Sequence, residues 1–132
     1  MARSTSEPII RRTDMLEKNM EDYRAQTEWE RGLFDRLLEA SFSGRDQLKA
    51  QLREAVVRKI DEKGGLAIRV TTGQKAEVLR RVPVEAECAD ADGTTIHFLL
   101  HVIDGTAKEL EIYKEDGSPI RKMPSLDALR VV

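Results

Sequence analysis

The stretch VPVEAECADADGTTIHFLLHVIDGTAKELEIYKEDGSPIR, residues 82–121, decides the fold. Asp92-Gly93, Asp104-Gly105 and Asp116-Gly117 recur in it at twelve-residue spacing, and the runs between them alternate apolar and polar side chains. Asp-Gly between such runs signals a hairpin, because both residues tolerate the positive φ of a tight loop. A two-residue loop and a three-residue loop ending on an αL glycine differ by one residue of register. That difference exchanges the faces of one strand. At Asp92-Gly93 the shorter loop would set Glu87 against Phe98 and Glu85 against Leu100. The longer loop pairs Asp90 with Thr94 and makes Cys88–Ile96, Ala86–Phe98, Val84–Leu100 and Val82–Val102 all apolar. The same choice predicts Phe98 opposite Leu110 and Ile96 opposite Ile112 at the second turn, and Ile112 opposite Ile120 at the third.

The resulting β-meander has one continuous apolar face: Val82, Val84, Ala86, Cys88, Ile96, Phe98, Leu100, Val102, Leu110, Ile112 and Ile120. At roughly 1.5 to 3 kcal/mol per large side chain fully buried, that face needs a covering layer. The opposite face carries Glu85, Glu87, His97, Leu99, His101, Glu109, Glu111, Tyr113 and Arg121.

Helices upstream supply the cover. Thr27-Glu28-Trp29-Glu30 reads as a capping box, opening a helix to about Ser41 that presents Trp29 or Leu33, Phe34, Leu37, Leu38 and Phe42. Gly44 ends it, and Asp46 to Glu54 forms a shorter helix with Leu48 and Leu52. A first hairpin, Ala55 to Ile60 and Leu66 to Val70 around Asp61-Glu62-Lys63-Gly64-Gly65, pairs Ile60 with Leu66 and Val56 with Val70. Thr71 to Arg81 is a polar connection, and Leu126 to Val132 adds a turn or an edge strand. The expected architecture is α+β: N-terminal helices on an antiparallel sheet of five or six strands.

Ahead of this domain, residues 1–12 read as a disordered tail. Thr13 to Gln26 reads as an accessory helix, with Leu16, Met20 and Tyr23 at helical spacing. The domain proper is expected to span residues 27–132. The accessory helix has two readings, an extension packing on its own domain or a partner-binding helix that could make a homodimer.

Composition excludes several function classes. The chain has 132 residues, 35% of them charged, and a formal net charge of −2. Without a basic excess, nucleic acid is not the expected partner. The longest apolar run, Phe98-Leu99-Leu100, is far too short to span a bilayer. No apolar leader follows Arg3, Glu7, Arg11 and Arg12, and Cys88 is the single cysteine. A reducing cytoplasm is the expected compartment.

From about Thr27 to the C-terminus the chain resembles a family of small bacterial proteins classed as a domain of unknown function. The resemblance is carried by Glu30, Leu37-Leu38, Phe42 and Gly44, by Arg81 to Glu87, and by Asp92-Gly93. It continues through His101 to Gly105 and through Glu109-Leu110-Glu111-Ile112-Tyr113 with Asp116-Gly117. It implies a fold and no mechanism. Similar small sheets occur among bacterial immunity proteins, an analogy of fold alone.

His97 and His101 share the polar face, but four residues along a strand span roughly 13 Å, too far to grip one ion. A metal would need His97 with Glu87 and Glu111, its expected cross-strand neighbours, and no zinc-type ligand set is completed. The same triplet, with Arg121 opposite Glu111, reads better as a surface charge ladder. Glu85 and Glu109 flank Leu99 in this register, on a flat face without a pocket to shift a carboxylate pKa. Cys88 reads as core. No catalytic or cofactor motif is present. Two function classes follow. The first is a non-catalytic protein-binding module, immunity- or inhibitor-like in its concrete form, using the polar face or the N-terminal helix. The second is a small enzyme or ligand-binding protein with a site built from His97, His101, Glu87, Glu109, Glu111 and Tyr113.

Overall fold

The computed structural model describes residues 22–132. The capping box forms as its residues require. Thr27 Oγ1 accepts from the Glu30 amide at 3.1 Å, and the Glu30 carboxylate accepts from the Thr27 amide at 2.9 Å. Helix α1, Glu28–Leu37, follows from it. It stops short of Ser41 because the amides of Glu39 and Ala40 turn back onto Arg36 and Leu37, tightening the last turn. Gly44, with φ of 89°, leads into α2, Arg45–Glu54. Leu33, Phe34, Leu37 and Leu38 of the first helical segment and Leu48 and Leu52 of the second are buried in one core.

Six antiparallel strands form the second layer: β1 Val56–Lys59, β2 Leu66–Arg69, β3 Val84–Ala89, β4 Thr95–Ile103, β5 Thr106–Lys114 and β6 Arg130–Val131. Their order is β1-β2-β5-β4-β3-β6. The fold is therefore α+β, with α1 against β3 and α2 against β5. A 3₁₀ turn, Leu126–Ala128, precedes β6 and packs on α1. The C-terminal segment thus provides both a turn and an edge strand.

The β3–β4 register is the one the apolar pattern demands, with Val84 opposite Leu100, Ala86 opposite Phe98 and Cys88 opposite Ile96. Asp90 donates to Thr94 and Gly93 to Asp90, which closes the three-residue loop. Pairing stops at Val84, so Val82 and Val102 are not ladder partners; the Val102 amide bonds the Arg81 carbonyl instead.

The second turn differs from expectation. Ile103 faces Thr106 across a two-residue loop, and Asp104 (φ 53°) and Gly105 (φ 77°) both adopt the left-handed conformation of a type I′ turn. A Cβ at Gly105 would sit 3.0 Å from the Ala76 carbonyl, so the passing connection admits only glycine there. A register shift between His101 and Val102 then skips Lys108. Phe98 consequently faces Ile112, not Leu110, and Ile96 faces Lys114, not Ile112. The offset is two residues, so inner and outer faces are conserved.

The third turn closes locally, Gly117 donating to Lys114, but no returning strand follows. The edge of β5 that Ile120 was expected to join is taken by β2, with Leu66 opposite Leu110. The first hairpin is also one residue out of its expected register: Val56 faces Arg69 and Lys59 faces Leu66. Asp61 accepts the amides of Lys63 and Gly65, and the Ile60 amide bonds the Gly65 carbonyl, so the turn closes one residue earlier than expected. Val57 is thereby turned inward, fully buried.

Residues 13–21 of the expected accessory helix, and the tail before them, lie outside the described residues. Tyr23 to Gln26 are not helical. Arg24 exchanges two backbone hydrogen bonds of 2.9 Å with Val57, satisfying the free edge of β1. The Gln26 amide donates to the carbonyls of Leu52 and Ala55 at the end of α2.

The two-residue offset brings a lysine into the core. Lys114 and Asp90 both have 0% side-chain exposure, with Nζ 2.9 Å from Asp90 Oδ2, and Asp92 Oδ2 lies 2.7 Å from the same nitrogen. Asp90 also accepts the amides of Arg121, Lys122 and Ala91. These donors, the Arg121 amide first, hold Asp90 well below the usual carboxylate range despite its burial. Asp92 is lowered chiefly by Lys114, and Lys114 is raised chiefly by Asp92.

Both ends of the pH scale should therefore weaken the fold. The two aspartates bind protons more readily in the unfolded chain, so their contribution is complete above about pH 4 and is lost as pH falls. Lys114 keeps its proton to higher pH when folded, so its contribution is complete below its ordinary value of 10.5 and is lost as pH rises. Urea midpoints across pH should show both limbs, and Asp90→Asn should flatten the acid one. Asp90→Ala should lower the midpoint more than Lys114→Met, because it orphans three amides as well as an ammonium.

Candidate functional site

The outer face of β3, β4 and β5 is the surface on which the ionisable side chains gather. Strand alternation puts Glu85 and Glu87, then His97, Leu99 and His101, then Glu109, Glu111 and Tyr113 on it. The helices lie on the other side of the sheet. The residues expected to share this face do share it, except Arg121. The chain leaves β5 after Lys114, and Arg121 lies at the first turn with Nε 3.4 Å from Asp92.

The register sets the neighbours. Glu87 faces His97, which faces Tyr113. The two rings stack with centroids 4.7 Å apart and planes 14° from parallel. His97 Nε2 lies 2.7 Å from Glu115 Oε2, while its Nδ1 is 3.9 Å from Glu87. Glu87 in turn pairs with Arg130 on β6. The row thus runs Arg130–Glu87–His97–Tyr113, extended at the end opposite to the one where Arg121 was expected.

Glu111 belongs to the other histidine. It faces Leu99 across the strands, and its carboxylate meets His101 Nε2 at 2.7 Å. Arg81 Nε donates to His101 Nδ1 at 3.0 Å. A guanidinium can only donate, so Nδ1 is the acceptor and the ring proton sits on Nε2, donated to Glu111. Leu99 is flanked by Glu85 and Glu111, not by Glu85 and Glu109. Glu109 instead lies between His101 and Ala67.

Glu87, His97 and Glu111 therefore do not converge. Among the described residues no three His, Cys, Asp or Glu side chains form a metal-holding group. Cys88 is buried on the inner face, where burial pushes its thiol up. Leu16 and Met20 of the expected partner helix lie outside the described residues. Tyr23 is not on a helix; its ring lies under the Arg58 guanidinium at 5.4 Å.

Three participants escaped sequence reading: Arg81, Glu115 and Arg130. Arg130 depends on β6 finding the far edge of β3, which no local pattern announces. Glu115 does carry a signal, since it is in phase with Glu111 and Tyr113 on an alternating run.

A two-layer α+β protein with an ion-paired outer sheet face is the class defined by this geometry. The chain belongs to the family described as a domain of unknown function (DUF6984), which matches residues 23–124. The match begins at Tyr23, beside the Arg24 bridge to β1. No curated protein and no solved structure matches the chain. No helix among the described residues is long and apolar enough to cross a membrane.

Long-range ¹H–¹⁵N spectra of the histidines should show His101 as the Nε2–H tautomer near neutral pH, and Arg81→Ala should weaken that preference. Glu111→Gln, at a partly exposed carboxylate, should change stability by no more than about 0.5 kcal/mol in urea unfolding.

Proposed function

We propose that the chain is a non-catalytic protein-binding module whose partner docks on the outer sheet face around Leu99 and Tyr113. One observation carries this reading: both histidines of the face are already engaged by neighbouring side chains. His101 is held between Arg81 and Glu111, and His97 bonds Glu115 and stacks on Tyr113. General acid–base chemistry needs a group free to exchange its proton with a substrate, inside a site that excludes water. Here both histidines are engaged, and no described element covers the face.

Such a surface suits recognition. Its charges are held in place before a partner arrives, which favours orientation and selectivity more than raw affinity. Tyr113, 38% exposed, adds ring area and a hydroxyl among those charges. The concrete form is an inhibitor- or immunity-like protein of a bacterial cytoplasm.

The test is quantitative co-purification from source cells using the wild type and the double variant L99R/Y113A. A protein enriched by the wild type and lost from a variant that melts at the same temperature is the expected result. Equal recovery by both would contradict the reading. So would a small molecule that shifts the His97 and His101 resonances, which would favour an enzyme or ligand-binding protein.

A further inference from the structure

Apart from the sheet face, the two helices enclose a cleft of about 210 Å³. Its floor is apolar, made by the buried side chains of Phe34, Leu38 and Leu52. Gln26 closes one end, locked onto the carbonyls of Leu52 and Ala55 at 2.7 and 2.9 Å. The rim is cationic. Arg31, Lys49 and Arg53 line it against a single carboxylate, Asp35. Arg31 is fixed across the cleft by donating to the Arg53 carbonyl at 3.3 Å. The ion pairs of this region are Arg24–Glu30, Arg36–Glu39 and Arg45–Asp46. Among the described residues, none of them engages Lys49 or Arg53.

In a chain of net charge −2, three cations against one carboxylate around an apolar floor make a local excess of positive charge among the described residues. The volume narrows the ligand. Pockets for drug-sized molecules run to roughly 300–1,000 Å³, so this cleft accommodates about one large side chain. We infer that it is a docking site for an acidic peptide segment of a partner protein. One leucine- or phenylalanine-sized side chain enters the floor, and flanking carboxylates meet Lys49, Arg53 and Arg31. The apolar contact supplies the binding energy, and the carboxylates supply orientation and salt dependence. The site lies between the helices, away from the outer sheet face, so it stands or falls independently of the reading given for that face.

The probe is the peptide acetyl-Glu-Leu-Phe-Glu-amide, titrated into ¹⁵N-labelled full-length protein. Acetyl-Lys-Leu-Phe-Lys-amide and acetyl-Glu-Ser-Ser-Glu-amide are the controls. The acidic apolar peptide should shift amides of Arg31 to Leu38 and Lys49 to Arg53, and binding should weaken as salt is raised. K49E/R53E should reduce affinity at least tenfold. K49Q/R53Q, which adds no repulsion and guards against misfolding, should reduce it to a smaller extent in the same direction. Equal binding of the lysine peptide, shifts confined to other surfaces or no shifts at all would overturn the inference. Shifts at these amides that track protein concentration without peptide would assign the cleft to a second copy and overturn it equally.

Discussion

Three backbone amides and one ammonium converge on the carboxylate of Asp90, and the rest of the architecture is organised around that convergence. Asp90 closes the β3–β4 loop through Thr94. Lys114 ends β5, and the amides of Arg121 and Lys122 belong to the segment leading to β6. One buried anion thus ties together three pieces of chain that are distant in sequence. A carboxylate in this position is costly to bury unless every oxygen is occupied, and here each oxygen accepts at least one short bond. The interaction also explains where the chain goes after Asp116-Gly117. It is drawn across to Asp90 and does not return along β5, whose outer edge belongs to β2.

The same constraint shapes the outer face. With Lys114 opposite Ile96, Tyr113 must face His97 and Glu111 must face Leu99. That arrangement separates the two histidine clusters, His97 with Glu115 and His101 with Arg81 and Glu111. Within each cluster the histidine is hydrogen-bonded to its own neighbours, so the two rings are held separately on the face. Beneath it the buried polar groups are each satisfied, Asp90 and Lys114 by one another at one end of the sheet and Gln51 by Gln74, Gly105 and Ala107 at the other.

Much of this was legible in residues 82–121. Alternation assigned the inner and outer faces of β3, β4 and β5 correctly as far as Lys114, and the avoidance of Glu87 against Phe98 selected the first loop. The capping box at Thr27 and the burial of Leu33, Phe34, Leu48 and Leu52 were equally plain. The second register was not legible, because a two-residue offset leaves every face unchanged. Phe98 is as well matched by Ile112 as by Leu110, so apolar pairing cannot choose between them. The choice is made by the Gly105 turn packing against Ala76 and by Lys114 reaching its aspartates. A signal for the latter exists, since parity places Lys114 in phase with Ile112 and Asp90 in phase with Cys88. Opposite charges on an apolar face imply each other. The first hairpin closes one residue earlier than expected, with Asp61 accepting two amides in its turn, and the β2–β5 and β3–β6 pairings are long-range contacts that local pattern does not encode.

The most direct measurement is of the Lys114 ammonium itself, by ¹H–¹⁵N spectroscopy of the lysine side chains near neutral pH. Burial against Asp90 and Asp92 predicts a protonated, slowly exchanging Lys114 Nζ signal, with nuclear Overhauser contacts to the Arg121 amide and to Ile96. A Lys114 signal that exchanges with water as fast as those of the exposed lysines would contradict the register and the anchoring role of Asp90 together.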